Sequence, residues 1–425
     1  MYLGAYGPRR SSRCWHSGVT RLERHAFALQ CAVAALLSTS TSMMAVMVPL
    51  YAVSLGVGAQ WLGVLVALPG LFPVLLAIPG SRLVDSIGPA RWLFYGMVGM
   101  ASAPVSLLAL PGVVGLATSR LLVGFFQLFV TLSGQSLVAS LNNNKGHQSN
   151  FAMYSTLLAL GRMFGPILVG SIIDLAGFRA SFVAVLVVLI VAGGLAYLVM
   201  LGNMHAYTGP RVGLGTGRSS VKAVVTNVGF QVAVLSSSGI FLALTVREAF
   251  MPVMMQDLGM SATTIGTLVS LGSLTAVLIR PIIPKVTAAL RGVARTSVAG
   301  MAAVAIGVGL LALAPMIGGS VLFFGVLAVV TGFGSGVGFP LSIVSVASHV
   351  PARDRALALS LRLSSNHLVE LTAPVLGGLL VAVAGYTAGF ATAGVVLALL
   401  TVVAVGRVLP YEAAATDEGQ PHSSS

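Results

Sequence analysis

The chain repeats itself. Residues 49–68 read PLYAVSLGVGAQWLGVLVAL and residues 252–271 read PVMMQDLGMSATTIGTLVSL, so Pro, Leu, Gly, Ala, Gly, Leu, Val and Leu recur at a constant separation of 203 positions. A second pair of segments keeps a separation of 208: Pro166, Leu168, Gly170, Gly177, Ala180 and Phe182 return as Pro374, Leu376, Gly378, Gly385, Ala388 and Phe390. Whatever one half folds into, the other must resemble. Two intensely apolar halves of about 200 residues each point to a membrane protein built from structural repeats.

Charged residues make up only 8% of the chain and the mean hydropathy is +0.97, where a soluble domain carries roughly 25% charged residues. A lipid-exposed backbone must satisfy its own hydrogen bonds, which leaves helices or closed barrels. Apolar stretches of the length a crossing helix needs, about 20 residues, lie near 26–53, 61–80, 92–110, 112–140, 151–175, 179–201, 226–255, 262–284, 296–314, 319–347, 357–383 and 387–409. The expected fold is therefore all-α, with about twelve transmembrane helices in two pseudo-symmetric six-helix bundles. The boundaries read as an N-terminal tail over 1–25, a first bundle over 26–201, a Gly- and Ser-rich linker over 202–225, a second bundle over 226–409 and a tail over 410–425.

A net charge of +13 raises the question of a polyanionic partner, and the placement of the charges answers it. Alternate loops and the termini collect Arg9, Arg10, Arg13, Arg21, Arg24, Arg82, Arg91, Lys145, Arg211, Arg218, Lys222, Lys285, Arg291, Arg295, Arg353, Arg355, Arg362 and Arg407, whereas the other set of loops holds Arg179 alone. This is the positive-inside asymmetry, which predicts cytoplasmic termini and linker in a multi-pass protein of a bacterial inner (cell) membrane, with no nucleic-acid partner. Cys14 and Cys31 are too few and too internal for a disulfide framework.

Local motifs carry a family resemblance. Ser81-Arg82-Leu83-Val84-Asp85-Ser86-Ile87-Gly88-Pro89-Ala90-Arg91 is similar to the loop between the second and third spans of the major facilitator superfamily, with Leu83, Asp85 and Gly88 in register. Arg120 and Gly124 match its R-x-x-x-G element, and Gly161, Gly165, Pro166 and Gly170 resemble the antiporter motif of its drug and metabolite exporters. The resemblance implies a gating role for the loop residues Leu83, Asp85, Gly88 and Arg91, with Asp85 latching the start of the eleventh span, where Arg353, Arg355 and Arg362 lie. Physically, Gly161, Gly165 and Gly170 remove side-chain bulk and Pro166 removes a backbone donor, so the fifth span can approach a neighbour closely.

Ionisable groups inside apolar spans cost roughly 2.5–3.5 kcal/mol at the bilayer centre, so they face a cavity or a partner. Arg162 and Glu370 each lie four residues before a repeated proline and are 208 positions apart. They are thus pseudo-symmetry mates of opposite sign. With Arg120 they are the expected intramembrane charges, and Glu370 the expected proton carrier. Gln127, Tyr154, Ser237, Arg280, Arg362 and Asn366 are expected to line the cavity, whereas Arg247 and Glu248 are read as snorkelling toward the outer end.

No nucleophile–base or metal-ligand constellation is visible in the spans, which argues against an enzyme, a metal or a cofactor. An asymmetric duplication fits alternating access better than a channel. The expected function is proton-coupled efflux of a small amphipathic molecule by a monomer in the lipid bilayer. The alternative is a proton-coupled importer of a small polar solute such as a sugar or an organic acid.

Overall fold

The computed structural model describes residues 12–110, 112–140, 147–203, 221–351 and 354–417. Helices α1 (Ser12–Ser54), α2 (Ala59–Ala67), α3 (Leu71–Ile87), α4 (Pro89–Ala109), α5 (Gly112–Ser140) and α6 (His147–Asn203) form the first half. Helices α7 (Val221–Thr226), α8 (Val228–Asp257), α9 (Ala262–Leu278), α10 (Ile283–Ala289), α11 (Val293–Leu310), α12 (Ala314–Ile317), α13 (Val321–His349) and α14 (Arg355–Asp417) form the second.

Ten helical stretches are long and apolar enough to cross a membrane, and two of them, Met153–Gly202 and Leu357–Val408, have 50 and 52 residues. Each long stretch breaks at a glycine, Gly177 at φ 78° and Gly385 at φ 77°. That backbone region is open almost only to glycine. Each long stretch therefore supplies two crossings, and the described residues make twelve. Gly177 and Gly385 are themselves partners in the repeat. Outside the spans the helices overrun the sequence boundaries: α1 begins at Ser12, α6 ends at Asn203 and α14 continues to Asp417. The tail 1–11, the loop 141–146, the linker stretch 204–220 and the tail 418–425 lie outside the described residues.

Polar residues inside the spans are absorbed locally. Thr39, Thr245 and Thr331 donate their hydroxyls to the carbonyls of Ala35, Phe241 and Leu327, four residues back, which satisfies them within their own helix. Helix starts are capped where the chain turns: Asn227 accepts from the Phe230 amide at 3.0 Å and Ser261 from the Thr264 amide at 3.2 Å. Large apolar side chains such as Leu175, Met316, Leu322 and Val383 point outward and stay exposed, as a lipid-facing surface requires.

The glycine run of α13 is a close-packing device on two faces. Gly332 and Gly336 lie against Gly272 and Ala276 of α9, while Gly334 and Gly338 lie against Gly300 of α11.

The halves meet chiefly where α6 packs on α9 and α2 packs on α14. A Cβ on Gly266 would strike the Pro166 carbonyl, and one on Gly63 would strike the Pro374 carbonyl. Likewise Gly170 abuts the Ala262 carbonyl and Gly378 the Ala59 carbonyl. Backbone lies directly on backbone here, which only small residues allow.

Candidate functional site: a charged cavity between the halves

A cavity of about 380 Å³ lies where the two halves face each other, within the range that holds a small-molecule ligand. The first half lines it with Thr41, Ser42, Arg120, Gln127 and Arg162, and the second with Arg247, Glu248, Arg280, Ser335 and Glu370. Phe241 and Phe339 add aromatic wall, their ring centroids 5.6 Å apart. Four guanidinium groups and two carboxylates thus share one chamber.

Each charge is held by specific neighbours. Arg120 on α5 donates from Nε to the Leu65 carbonyl at 3.3 Å and from Nη2 to the Val66 carbonyl at 3.4 Å. The Leu65 carbonyl faces Pro69, which has no amide hydrogen to offer it, at the end of α2 where the 3-10 turn Leu68–Gly70 begins. Arg247 on α8 donates from Nη1 to the Thr331 hydroxyl at 2.8 Å. Arg280 crosses the halves to reach the Ser155 carbonyl at 3.3 Å and its hydroxyl at 3.2 Å. Glu370 on α14 meets His367 one turn back, Nδ1 to Oε2 at 3.0 Å. Its stem packs beside Gly70, where an added Cβ would lie 3.4 Å from Cγ. Arg162 has no hydrogen bond among the described residues, and there no cavity arginine comes within 4 Å of a cavity carboxylate.

Of the residues expected from sequence, Arg120, Arg162, Glu370, Gln127 and Arg280 line this cavity. The ion pair of Glu370 is with His367, not with an arginine, among the described residues. Four expected lining residues do not face the cavity. Tyr154 is buried in a cluster with Cys31, Ala34 and Val138. Ser237 is buried inside α8 and donates to the Val234 carbonyl. Asn366 accepts from Ser238 between α14 and α8. Arg362 donates to the Ser342 hydroxyl at 2.9 Å, its guanidinium 5.5 Å from the Phe339 ring centroid, and is not among the lining residues.

Arg247 and Glu248, read from sequence as snorkelling groups, instead belong to the cavity. The signal for them was present: two adjacent ionisable residues in an apolar span, five and four positions before the repeated Pro252.

The glycine–proline motif is explained by packing. Gly161 sits against the Ala35 carbonyl and Ser38, and Gly165 against Thr39 and Ser42 of α1, while Pro166 and Gly170 face α9. The expected gating loop is helical except at Gly88, which has φ 99° and redirects the chain from α3 into α4; Leu83, in the last turns of α3, is exposed and accepts through its carbonyl from Trp92 at 3.0 Å, and Arg91, in the first turn of α4, is exposed. The Asp85 side chain and Arg353 lie outside the described residues. Two of the expected latch partners are engaged elsewhere, Arg362 as above and Arg355 with the Val350 carbonyl at 3.0 Å.

On the face that carries the α1–α2 and α8–α9 turns, Asp174 accepts from the amides of Ala262 at 3.0 Å and Thr263 at 2.7 Å. A carboxylate from the first half thus caps the start of α9 in the second.

An architecture of two six-helix halves around a central charged cavity is that of a secondary transporter. A family profile described as the Major Facilitator Superfamily matches residues 31–247 and 233–424, and the chain belongs to that family. No curated protein sequence matches it significantly. Among solved structures it is similar to a POT family transporter in complex with a thioalcohol-conjugated peptide, at TM-score 0.76 and 15% identity over 90% of this chain and 95% of that one. It is also similar to a POT family transporter in complex with 5-aminolevulinic acid, at TM-score 0.73 and 15% identity over 90% and 95%.

Proposed function

We propose that this chain is a proton-coupled importer of a small organic acid. The observation that carries the reading is the charge of the chamber: four arginines stand against two glutamates. Apolar and aromatic walls suit an amphipathic molecule; this surplus suits an anion.

Coulomb's law then sets the direction of coupling. Protonating Glu370 or Glu248 removes a negative charge that repels the solute. At about 8 Å and an effective dielectric near 20, that change is worth about 2 kcal/mol, or about thirty-fold in affinity. Anion and proton therefore favour each other's binding and travel together. Because an energised cell membrane drives protons inward, their joint movement is uptake. The contact of His367 with Glu370 gives that carboxylate a local proton partner. Alternating access would open the close-packed face, which the distribution of basic residues makes extracellular.

The efflux reading rested on Gly161, Gly165, Pro166 and Gly170, and each of these has a packing role. The similar solved structures are named as complexes of a thioalcohol-conjugated peptide and of 5-aminolevulinic acid, and the second of these is a small organic acid.

The test uses purified protein in proteoliposomes. An inward proton gradient is expected to drive accumulation of labelled small carboxylates, and Glu370→Gln to abolish that accumulation while gradient-free exchange persists. Gradient-driven extrusion of an amphipathic cation, without carboxylate uptake, would replace this reading with the exporter.

A further inference from the structure

With both cavity carboxylates ionised, four guanidinium groups against two glutamates leave a surplus of two positive charges. A surplus of this size in a membrane interior calls for counter-charge. The unsatisfied donors show where it would sit. In the first half Arg162 is exposed and has no hydrogen-bond partner among the described residues, and Arg120, also on the chamber wall, spends only part of its fork on Leu65 and Val66. In the second half Arg247 is only 7% exposed, yet its Nε has no partner, and the buried Nε of Arg280 is likewise unmatched. A guanidinium has five N–H donors, and a buried one left without an acceptor is costly. Buried donors therefore lack acceptors in the second half, and Arg162 presents an unengaged fork from the first.

We infer that the solute is a small dianion, one anionic group taken by Arg162 of the first half and the other by Arg247 of the second. This deepens the organic-acid reading above and rests on it. A dianion offsets the surplus of two that holds while both glutamates are ionised, and each coupled proton only adds to that surplus, whereas a monoanion leaves at least one charge bare and one set of donors unfilled. Because its two ends are held by different halves, it also bridges the surfaces that must move relative to each other. Glu248 and Glu370, both from the second half, remain for the coupled protons. Arg362, bonded to Ser342 and stacked near Phe339, is not a lining residue and takes no part.

Three four-carbon probes separate the possibilities: succinate, butyrate and γ-aminobutyrate, a dianion, a monoanion and a zwitterion on one chain length. Malonate, glutarate and adipate vary the span between the anionic groups. Binding to the full-length protein in detergent is read by thermal stabilisation and by competition for labelled uptake. At least one dicarboxylate is expected to bind about ten-fold or more tightly than butyrate or γ-aminobutyrate, since its second anionic group adds a charge-assisted contact of over a kcal/mol. Arg162→Gln and Arg247→Gln should each remove that preference, whereas binding of butyrate should fall in only one of the two. Arg247→Lys should keep part of the preference, and unliganded melting temperatures establish that each variant is folded.

If butyrate or γ-aminobutyrate binds as tightly as every dicarboxylate, the dianion is overturned and the organic-acid reading stands. If no carboxylate binds and an amphipathic cation does, both fall. A preference that survives both glutamine substitutions overturns the assignment of the two ends.

Discussion

The contact of α6 with α9 and the contact of α2 with α14 are copies of each other, yet they are not equally fastened. The steric element is shared. Gly266 against Pro166 and Gly63 against Pro374 are the same contact 203 and 208 positions apart, as are Gly170 against Ala262 and Gly378 against Ala59. The polar element is not. At the start of α9, Ser261 accepts from the Thr264 amide and Asp174 accepts from the Ala262 and Thr263 amides. At the α2–α14 seam the corresponding residues are Gly58, which makes no side-chain cap for α2, and Ala382 of α14, which has no carboxylate. The two copies share the shape of the closure, and its electrostatic fastening lies on one side. The α2–α14 seam should therefore part more readily than the α6–α9 seam.

The largest effect should come from filling the shared glycines. Gly63→Leu and Gly266→Leu each force a side chain into a backbone carbonyl, at a cost of about 1–3 kcal/mol to the closed face. A single cysteine at Ser335, in a background lacking Cys14 and Cys31, should then react faster with an impermeant thiol reagent from that face. Unchanged labelling in both variants would break the idea that close packing is the closure.

The breaks within α6 and α14 offer an internal control. Gly177 and Gly385 share φ values of 78° and 77°, so Gly177→Ala and Gly385→Ala should lower stability alike, by about 1–3 kcal/mol each. Unequal melting temperatures would show that this pair has diverged as well.

Asp174→Ala removes a charged cap from one seam only, about 0.5–2 kcal/mol. Labelling of the cavity cysteine should rise accordingly, and less than in Gly266→Leu. Equal labelling in Asp174→Ala and the parent would mean that the two seams are fastened alike. The smallest effect belongs to Gly58→Ser, which gives α2 the cap that α9 already has. It should slow labelling by an amount worth a few tenths of a kcal/mol, and faster labelling would contradict the comparison.

The missed site residues share one cause. Arg247 lies ten positions before the end of α8 at Asp257, about 15 Å at 1.5 Å per residue, which is half of a roughly 30 Å hydrocarbon layer. A sequence window whose ends are uncertain by a turn cannot separate that depth from the snorkelling zone. Ser237 and Asn366 failed on rotation instead of depth. Successive residues turn by about 100°, and a uniformly apolar span has no polar face to mark which direction is the chamber. The Ser238 contacts with Ser365 and Asn366 put these groups between α8 and α14.

What the sequence determined by itself follows from local chemistry and from copying: apolar length dictates the crossings, repeated Gly177 and Gly385 dictate where the long helices turn, and an ionisable residue deep in an apolar span announces a cavity, as Arg120, Arg162 and Glu370 did. Only the tertiary structure decided which charges share the chamber, that no cavity arginine comes within ion-pair distance of Glu370 among the described residues, and that Asp174 fastens one seam and not its copy. Those outcomes depend on helix rotation and on approach distances of a few ångströms between segments about a hundred residues apart. Local propensity and hydropathy carry no record of either.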